Sequence, residues 1–419
     1  MKLSTRMKLR GILVWVARLA VGATFIISGW AKAIDPWGFI IKVNEYLAVW
    51  GMNVPEEAVL AGCVALAAIE FLTGILIAVG AMKRTAVAVA AAMMLVMLPL
   101  TLYILIADPV ADCGCFGEFL IISNTATFLK NVVLSALIIY LLMRNTSVRG
   151  LYPAAIQWLV VIVSLAFPLF LSFAGYQVQP LVDFRPYKTG TGIFTGNSQA
   201  TEEQYYIYEK DGVQSKFSLD ELPDSTWTFV EAPEAETDNS FGGGIAVFDS
   251  DGFDVAEDII EDGQQLFLIV PEPDMHYLIH AHYVERLYNY AQRTGVGFTA
   301  ILGAQGVDMQ QWADWTRPNF EVFTADATAL KQLVRGTEAL VYTDGGMIKW
   351  KRTLRSLPAD LPDSVSATTL DTLPVADNGV AHTYAVLIYI ASLFIIYVLG
   401  LSPKVIKIFT RIARHTTAQ

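Results

Sequence analysis

Residues 85–143 read TAVAVAAAMMLVMLPLTLYILIADPVADCGCFGEFLIISNTATFLKNVVLSALIIYLLM. Two apolar runs, 85–106 and 125–143, flank a short loop. A helix needs about 20 apolar residues to cross a bilayer, and both runs meet that requirement. The loop between them, "ADCGCFGEF" at 111–119, holds two of the three cysteines in the chain. The stretch therefore predicts two membrane helices joined by a link that carries a pair of thiols.

Four more runs fit the same length rule, at 11–31, 58–79, 151–173 and 380–399. The first is not a cleavable signal peptide, because no Ala-x-Ala-like site follows it. Hydrophobic residues make up 54% of the 419 positions, too many for an ordinary soluble protein. Charge is unevenly spread. Residues 174–379 hold 32 acidic side chains against 13 basic ones, and the remainder holds 8 against 16. The acidic segment argues against a nucleic-acid partner, which would need a basic footprint. It reads as a solvated surface beside a membrane-embedded part.

Basic residues set the expected orientation. Lys2, Arg6, Lys8 and Arg10, then Lys83 and Arg84, then Arg144 and Arg149, then Lys404, Lys407, Arg411 and Arg414 flank the spans. With six spans all four clusters fall on one side, the cytoplasm by the positive-inside rule. Both termini are then cytoplasmic, and the protein is expected in a bacterial inner membrane. The Cys-Gly-Cys loop and the acidic segment face the periplasm. Small residues run through the first four spans, as in "GATFIISG" and "AVAVAAAM". They allow close helix approach, so these spans are expected to form an antiparallel four-helix bundle.

Ionisable groups inside spans carry more information. Arg18 and Glu70 have opposite signs and are expected to pair across the bundle, fixing register or serving a proton- or quinone-linked site. Lys32 and Lys130 sit near the outer ends of their spans, at the level of the thiol loop. Three chemistries fit two cysteines one residue apart. A metal site would need further soft ligands, and only carboxylates are close in sequence. A tight turn with incidental thiols is the second. A redox dithiol is the third, since a ring closed between residues i and i+2 is strained and suits exchange. Gly114 relaxes the backbone of that ring. Lys32 and Lys130 would favour thiolate, while Asp112 and Glu118 would oppose it. Cys63, about two turns into the second span, reads as a packed thiol or as a partner for the loop.

The run "RLAVGATFIISGWAKAIDPWGFIIKVNEY", Glu70 with Gly74, "DCGCFGE" and "TFLKN" together resemble the MauE branch of the DoxX-like membrane proteins, over about residues 10–145. That resemblance implies a four-helix bundle with Cys113 and Cys115 as a redox pair. Arg18, Lys32, Glu70 and Lys130 would be family positions. The namesake assists the making of methylamine dehydrogenase, an enzyme rich in disulfides, together with a thioredoxin-like partner. The longer architecture, with "DFRPYKTGTGI" after the fifth span, is similar to DoxX-family proteins of Bacteroidetes type.

The outer segment alternates strands and helices. "YYIYEKDGVQSKFSL" predicts a hairpin turning at Asp211-Gly212, and "GIAVFDSDGFDV" a second at Asp251-Gly252. "QLFLIV", "VGFTAILGA" and "FEVFTA" read as strands, separated by the helices "HYVERLYNYAQRT" and "DMQQWADWT". The helix "ATALKQLVR" and the hairpin "EALVYTDGGMIKWKR" follow. This order predicts a mixed sheet with helices on both faces. Over 244–357 it resembles the thioredoxin-like fold in its TlpA-type form. "PEPDMHYLIH" stands where the resemblance would put Cys-x-x-Cys, and "RGTEALVY" lacks the expected proline, so the domain is read as degenerate and client-binding. His276, His280 and His282 fall at that corner; they read as a polar rim rather than a metal site.

The expected fold class is thus an all-α membrane bundle with two further spans and an inserted extracytoplasmic α/β thioredoxin-like domain. The expected boundaries are 1–148 for the bundle, 149–175 for the fifth span and 176–243 for a β-rich segment. The thioredoxin-like domain takes 244–358, a linker 359–379, and the last span with its basic tail 380–419. Function reads as thiol–disulfide exchange by Cys113 and Cys115. The partners are the lipid bilayer and an extracytoplasmic client or thioredoxin-like protein. No cofactor motif is evident, and electrons would pass to or from a quinone or that partner. The alternative is a non-enzymatic assembly or scaffold factor of an envelope complex.

Overall fold

The computed structural model describes residues 2–110, 112–144, 148–180, 182–194, 205–210, 213–218, 227–231, 244–260, 263–273, 280–304, 309–364, 366, 368–373, 378–402 and 407. The chain divides into two compact units. One comprises Met1–Asp183 with Val375–Gln419, the other Phe184–Pro374.

The first unit is helical: α1 (Lys2–Ile34), α2 (Pro36–Val49), α3 (Glu56–Val79), α4 (Lys83–Ala107), α5 (Asn124–Arg144), α6 (Gln157–Gln177) and α11 (Asn378–Leu401). Among the described residues six apolar segments are long enough to cross a membrane: Arg10–Ile34, Glu56–Val79, Lys83–Ala107, Asn124–Arg144, Ala154–Gln177 and Val380–Leu401. Each covers an expected span, with ends shifted by a few residues. Between lipid-bathed helices the drive to associate is close packing rather than water exclusion. Glycines supply it between α1 and α3. A Cβ on Gly29 would come within 2.4 Å of the Phe71 nitrogen, and one on Gly74 within 2.6 Å of the Ile26 nitrogen. Helices α4 and α5 pack together, α6 lies on α1 and α3, and α11 lies on α6.

The buried apolar core is shared by all six long helices: Val21, Phe71, Ala90 and Leu141 join Phe167 of α6 and Tyr389 of α11. Phe167 and Tyr389 stack with centroids 4.4 Å apart, and the Tyr389 hydroxyl lies 2.8 Å from that of Ser164. The fifth and sixth spans are therefore part of the packed helical core. Helix α2 breaks away from α1 at Asp35-Pro36. Asp35 accepts a hydrogen bond from the Gly38 amide at 2.9 Å, and proline takes the first helical position, a strong start signal.

Among its described residues the second unit holds two sheets. Strands β1 (Tyr205–Lys210), β2 (Val213–Ser218) and β3 (Thr228–Glu231) form one, in the order β2-β1-β3. Lys210 pairs with Val213; the expected turn residues, Asp211-Gly212, lie outside the described residues. The larger sheet contains β4 (Val247–Phe248), β5 (Gln264–Val270), β6 (Gly297–Gly303), β7 (Glu321–Ala325), β8 (Ala339–Asp344) and β9 (Met347–Thr353), in the order β4-β7-β6-β5-β8-β9. Strands β5, β6 and β7 are parallel neighbours, and β4, β8 and β9 join antiparallel. At Asp251-Gly252 the chain makes a tight turn, with the Gly252 amide donating to the Asp249 carbonyl at 3.2 Å; only its first limb is a strand.

Strand β5 is apolar at nearly every position because both its faces are covered. Leu266, Leu268 and Val270 pack with Leu287 and Tyr290 of α7 (Ala281–Thr294) and with Trp312 of α8 (Met309–Thr316). Phe267 and Ile269 face the other way, toward Leu330 and Leu333 of α9 (Ala327–Leu333). Alternate side chains of one strand thus serve two cores. The short helix α10 (Thr368–Thr372) closes the first core with Leu370, and the Trp350 ring nitrogen donates to its carbonyl at 3.0 Å.

Candidate functional site

Chemistry in the helical unit concentrates on the link between α4 and α5. Its base is closed by Asn124, whose amide nitrogen donates to Asp108 Oδ1 at 3.0 Å. The link turns back at Gly114, where φ is +66°, and the Gly117 amide donates to the Gly114 carbonyl at 3.1 Å. A left-handed residue is tolerated there because glycine has no Cβ. The turn brings Cys113 Sγ and Cys115 Sγ to 2.8 Å, both as free thiols and both 8% exposed.

Beneath Cys115 lies a buried charge network. Lys32 Nζ donates to Glu70 Oε2 at 2.7 Å, to Ser28 Oγ at 2.7 Å and to the Cys115 carbonyl at 2.8 Å. All three ammonium protons have acceptors. Ser28 Oγ lies 2.8 Å from Glu70 Oε2 and 2.7 Å from the Cys115 carbonyl, so its single proton serves one of them at a time. A buried charge must be paired and hydrogen-bonded, and this pair is both.

The two thiols are unequal. The hydrogen bond with Cys113 holds the Cys115 thiol down at about 7; burial opposes this, Lys130 and Lys32 assist, and Glu70 opposes. The same hydrogen bond and burial push the Cys113 thiol up. Of the pair, Cys115 is the more acidic thiol. Lys130 Nζ sits 4.3 Å from the Phe116 ring centroid, which ties the start of α5 to the loop.

Helix α2 presents one stripe to this site. Phe39 has its ring centroid 5.2 Å from Lys32 Nζ, Lys42 reaches Asp112 at 3.1 Å, and the Tyr46 hydroxyl donates to the Cys113 carbonyl at 3.1 Å. Lys42 also pairs with Glu45 at 2.9 Å. Burial pulls the Lys42 ammonium down, but Glu45 and Asp112 outweigh it and leave it raised. The neighbouring stripe of α2 holds Ile40, which packs on Val59 and Cys63.

Contrary to the expectation from charge, Arg18 does not pair with Glu70. It donates to the carbonyls of Val148 and Arg149 at 3.1 and 3.3 Å, against Gly80 at the end of α3. Helix register is the reason: Gly22 faces Ala78, Ile26 faces Gly74 and Gly29 faces Phe71, so position i of α1 meets about 100 − i of α3. Glu70 is thus level with Ser28 and Lys32, about twelve residues from Arg18, roughly 18 Å along the helix. Lys32 reaches the loop as expected, but as a buried ion-pair partner. The carboxylate that opposes the Cys115 thiolate is Glu70. Asp112 turns toward Lys42 and accepts from the Gly114 amide at 2.7 Å. Cys63 sits in an apolar cluster separate from that of the loop thiols.

In the second unit His276 lies outside the described residues. His280, at the start of α7, pairs through Nδ1 with the buried Glu338 at 2.5 Å. His282 is exposed, 3.8 Å from Glu285, so the two described histidines do not converge. Among the described residues no group of three or more His, Cys, Asp or Glu could hold a metal ion. The residues missed from sequence are Ser28, Phe39, Lys42, Tyr46 and Glu338. The 39, 42, 46 spacing after Asp35-Pro36 is a helical stripe, and it is the available signal for three of them.

Residues 10–144 match the family model of the methylamine utilisation protein MauE. The match spans about a third of the chain and includes the whole thiol site. Residues 203–234, which contain the three-stranded sheet outside this MauE-like region, match a domain of unknown function (DUF8463). No curated protein and no solved structure matches the chain.

Proposed function

We propose that this protein is a membrane thiol–disulfide exchange component whose MauE-like region carries Cys113 and Cys115 as an exchangeable dithiol. The carrying observation is the 2.8 Å contact between two free sulfurs, with the carbonyl of the more acidic Cys115 gripped by Lys32. The Cys115 thiolate attacks one sulfur of a client disulfide, and the other client sulfur leaves as thiolate. Cys113 then loses its proton and attacks Cys115 Sγ, displacing the client's first sulfur. The client gains two electrons and two protons, and Cys113–Cys115 becomes a disulfide; the reverse sequence oxidises a client dithiol. A quinol or a reduced thioredoxin-like partner returns the loop disulfide to the dithiol in the first direction, and a quinone or an oxidised partner returns the dithiol to the disulfide in the reverse.

The client is an extracytoplasmic protein with disulfides to make or exchange, in keeping with the maturation role implied by the MauE resemblance. The second unit supports a binding role. Its β5–α7–β6 unit beside the antiparallel β8 and β9 follows a thioredoxin-like order, and residues 174–379 contain no cysteine. The basic clusters favour an inner-membrane location with this unit outside and both termini in the cytoplasm.

Redox titration of the loop in native membranes, read by alkylation, tests the proposal. Cys113 and Cys115 should interconvert as a two-electron couple within the envelope's range of potentials. Thiols that stay reduced and unreactive throughout would sink it. The burial of both sulfurs favours a second reading, a non-enzymatic assembly factor in which they only shape a turn. A double Cys113→Ser, Cys115→Ser variant with full client maturation would select that reading, and a trapped mixed disulfide would exclude it.

A further inference from the structure

We propose that Lys42 is the gate of the dithiol: its side chain closes the Cys-Gly-Cys turn from outside and must swing away before a client can reach the sulfurs. The inference rests on the exchange reading above and concerns access, which that reading leaves open. Two thiols that are each 8% exposed cannot meet a protein disulfide as they stand. Something over them has to move.

The covers on the loop differ in how they are held. Tyr46, Ile104 and Phe116 are buried with the thiols in one apolar cluster. Lys42 is a partly exposed cation instead. Its stem lies across Gly114, so closely that a Cβ on that glycine would stand 2.5 Å from Lys42 Cγ. Its ammonium is held by Asp112 at 3.1 Å and Glu45 at 2.9 Å, with 21% of its side chain exposed. Partly exposed ion pairs are weak and exchange readily with water.

The helix beneath the gate is fixed. Trp37 stacks on Tyr176 at 4.8 Å and donates to its carbonyl at 3.2 Å, and Ile40 is buried against α3. Opening therefore needs a side-chain rotation of Lys42, not movement of α2. Lys42 also differs from the cations that tune the thiols. Lys130 and Lys32 act on Cys115, whereas the Lys42 charge is taken up by Asp112 and Glu45. Lys42 is thus a positioning and access residue rather than a catalytic one.

The two roles predict opposite signs, so one experiment separates them. Full-length protein in native membranes is reduced, then alkylated with iodoacetamide or with a bulky polyethylene-glycol maleimide. In Lys42→Ala the bulky reagent should react faster, by roughly five- to tenfold if two partly exposed ion pairs hold the gate. Iodoacetamide should change much less, and the midpoint of its pH–rate profile should stay in place. Lys42→Arg keeps both ion pairs and should restore the slow bulky reaction. Cys63 should stay unreactive in each variant, reporting an intact fold. Unchanged bulky kinetics in Lys42→Ala overturn the gate, and so does slower alkylation with a raised midpoint, which would make Lys42 a tuning cation. If Lys42→Ala opens the loop but neither protein cycles between dithiol and disulfide, the gate stands and the exchange reading fails. Normal cycling with unchanged access overturns the gate and leaves the exchange reading standing.

Discussion

Replacing Lys32 with methionine and, separately, Glu70 with glutamine should destabilise the protein alike while moving its thiol chemistry in opposite directions. The pair is buried, with 3% and 8% side-chain exposure at 2.7 Å. Removing either partner strands the other in a low-dielectric site, which costs about 3–5 kcal/mol. Lys32→Met also takes a donor from the Cys115 carbonyl. Replacing both, as Lys32→Met with Glu70→Leu, leaves no uncompensated charge and should return most of the loss. The effect on Cys115 follows its neighbours. Lys32 lowers its thiol and Glu70 raises it, around a value of about 7. Losing the cation should shift the thiol up by roughly one unit, about 1.4 kcal/mol. Only the thiolate alkylates, and its fraction grows as pH rises through the pKa. The midpoint of the pH–rate profile should therefore move to higher pH in Lys32→Met and to lower pH in Glu70→Gln. Iodoacetamide kinetics at Cys115 in membranes, read by mass spectrometry, measure the midpoints. Thermal unfolding in detergent measures the loss of stability. Midpoints that shift the same way in both variants would refute the tuning argument, because loosening of the fold alone has no reason to reverse sign.

Two further outcomes are expected. The segment Phe184–Pro374, expressed alone, should unfold cooperatively, because its sheet has its own core on each face; having no cysteine, it should not reduce insulin, and insulin reduction by the purified fragment would overturn its assignment as a binding unit. Reporter fusions after Gly379 and after Gln419 should signal opposite compartments, since one apolar helix, Val380–Leu401, separates them; the same signal from both would reject the six-span topology.

Much of the architecture is legible in the sequence because it depends on composition and period. A span is a run of about 20 apolar residues, and all six are readable from that alone. The strands of the second unit are readable from their flanking turns, and β5 from an apolar run that demands cover on both faces. The site is only half legible. The thiols announce themselves, but the partner of Glu70 does not, since opposite charge says nothing about depth. Depth is set by register, and register here is set by Gly22, Gly29 and Gly74, whose small size lets α1 and α3 lie nearly in contact. Small size marks those glycines as packing residues but does not say which level of α3 each one faces. Helix α2 is hidden differently. Its residues follow α1 with only Asp35 between, and although Phe39, Lys42 and Tyr46 fall on one helical stripe, the spacing does not say that this stripe meets the thiol loop.

The arrangement under Cys115 resolves a conflict that a dithiol at a membrane boundary must meet. A bare ammonium would favour thiolate most, but an unpaired cation is costly where water is excluded. A carboxylate removes that cost and also cancels part of the field the thiolate needs. The geometry here limits the cancellation. Lys32 touches the Cys115 carbonyl directly at 2.8 Å, while Glu70 is joined to that carbonyl through Lys32 and Ser28. The cation is therefore the nearer charge, and the carboxylate is buffered by a hydroxyl whose proton can turn either way. Lys130, on the far side over Phe116, adds positive charge without a carboxylate partner in the network. The balance leaves Cys115 more acidic than an ordinary thiol despite its burial, and it does so with every charge in the buried pair satisfied.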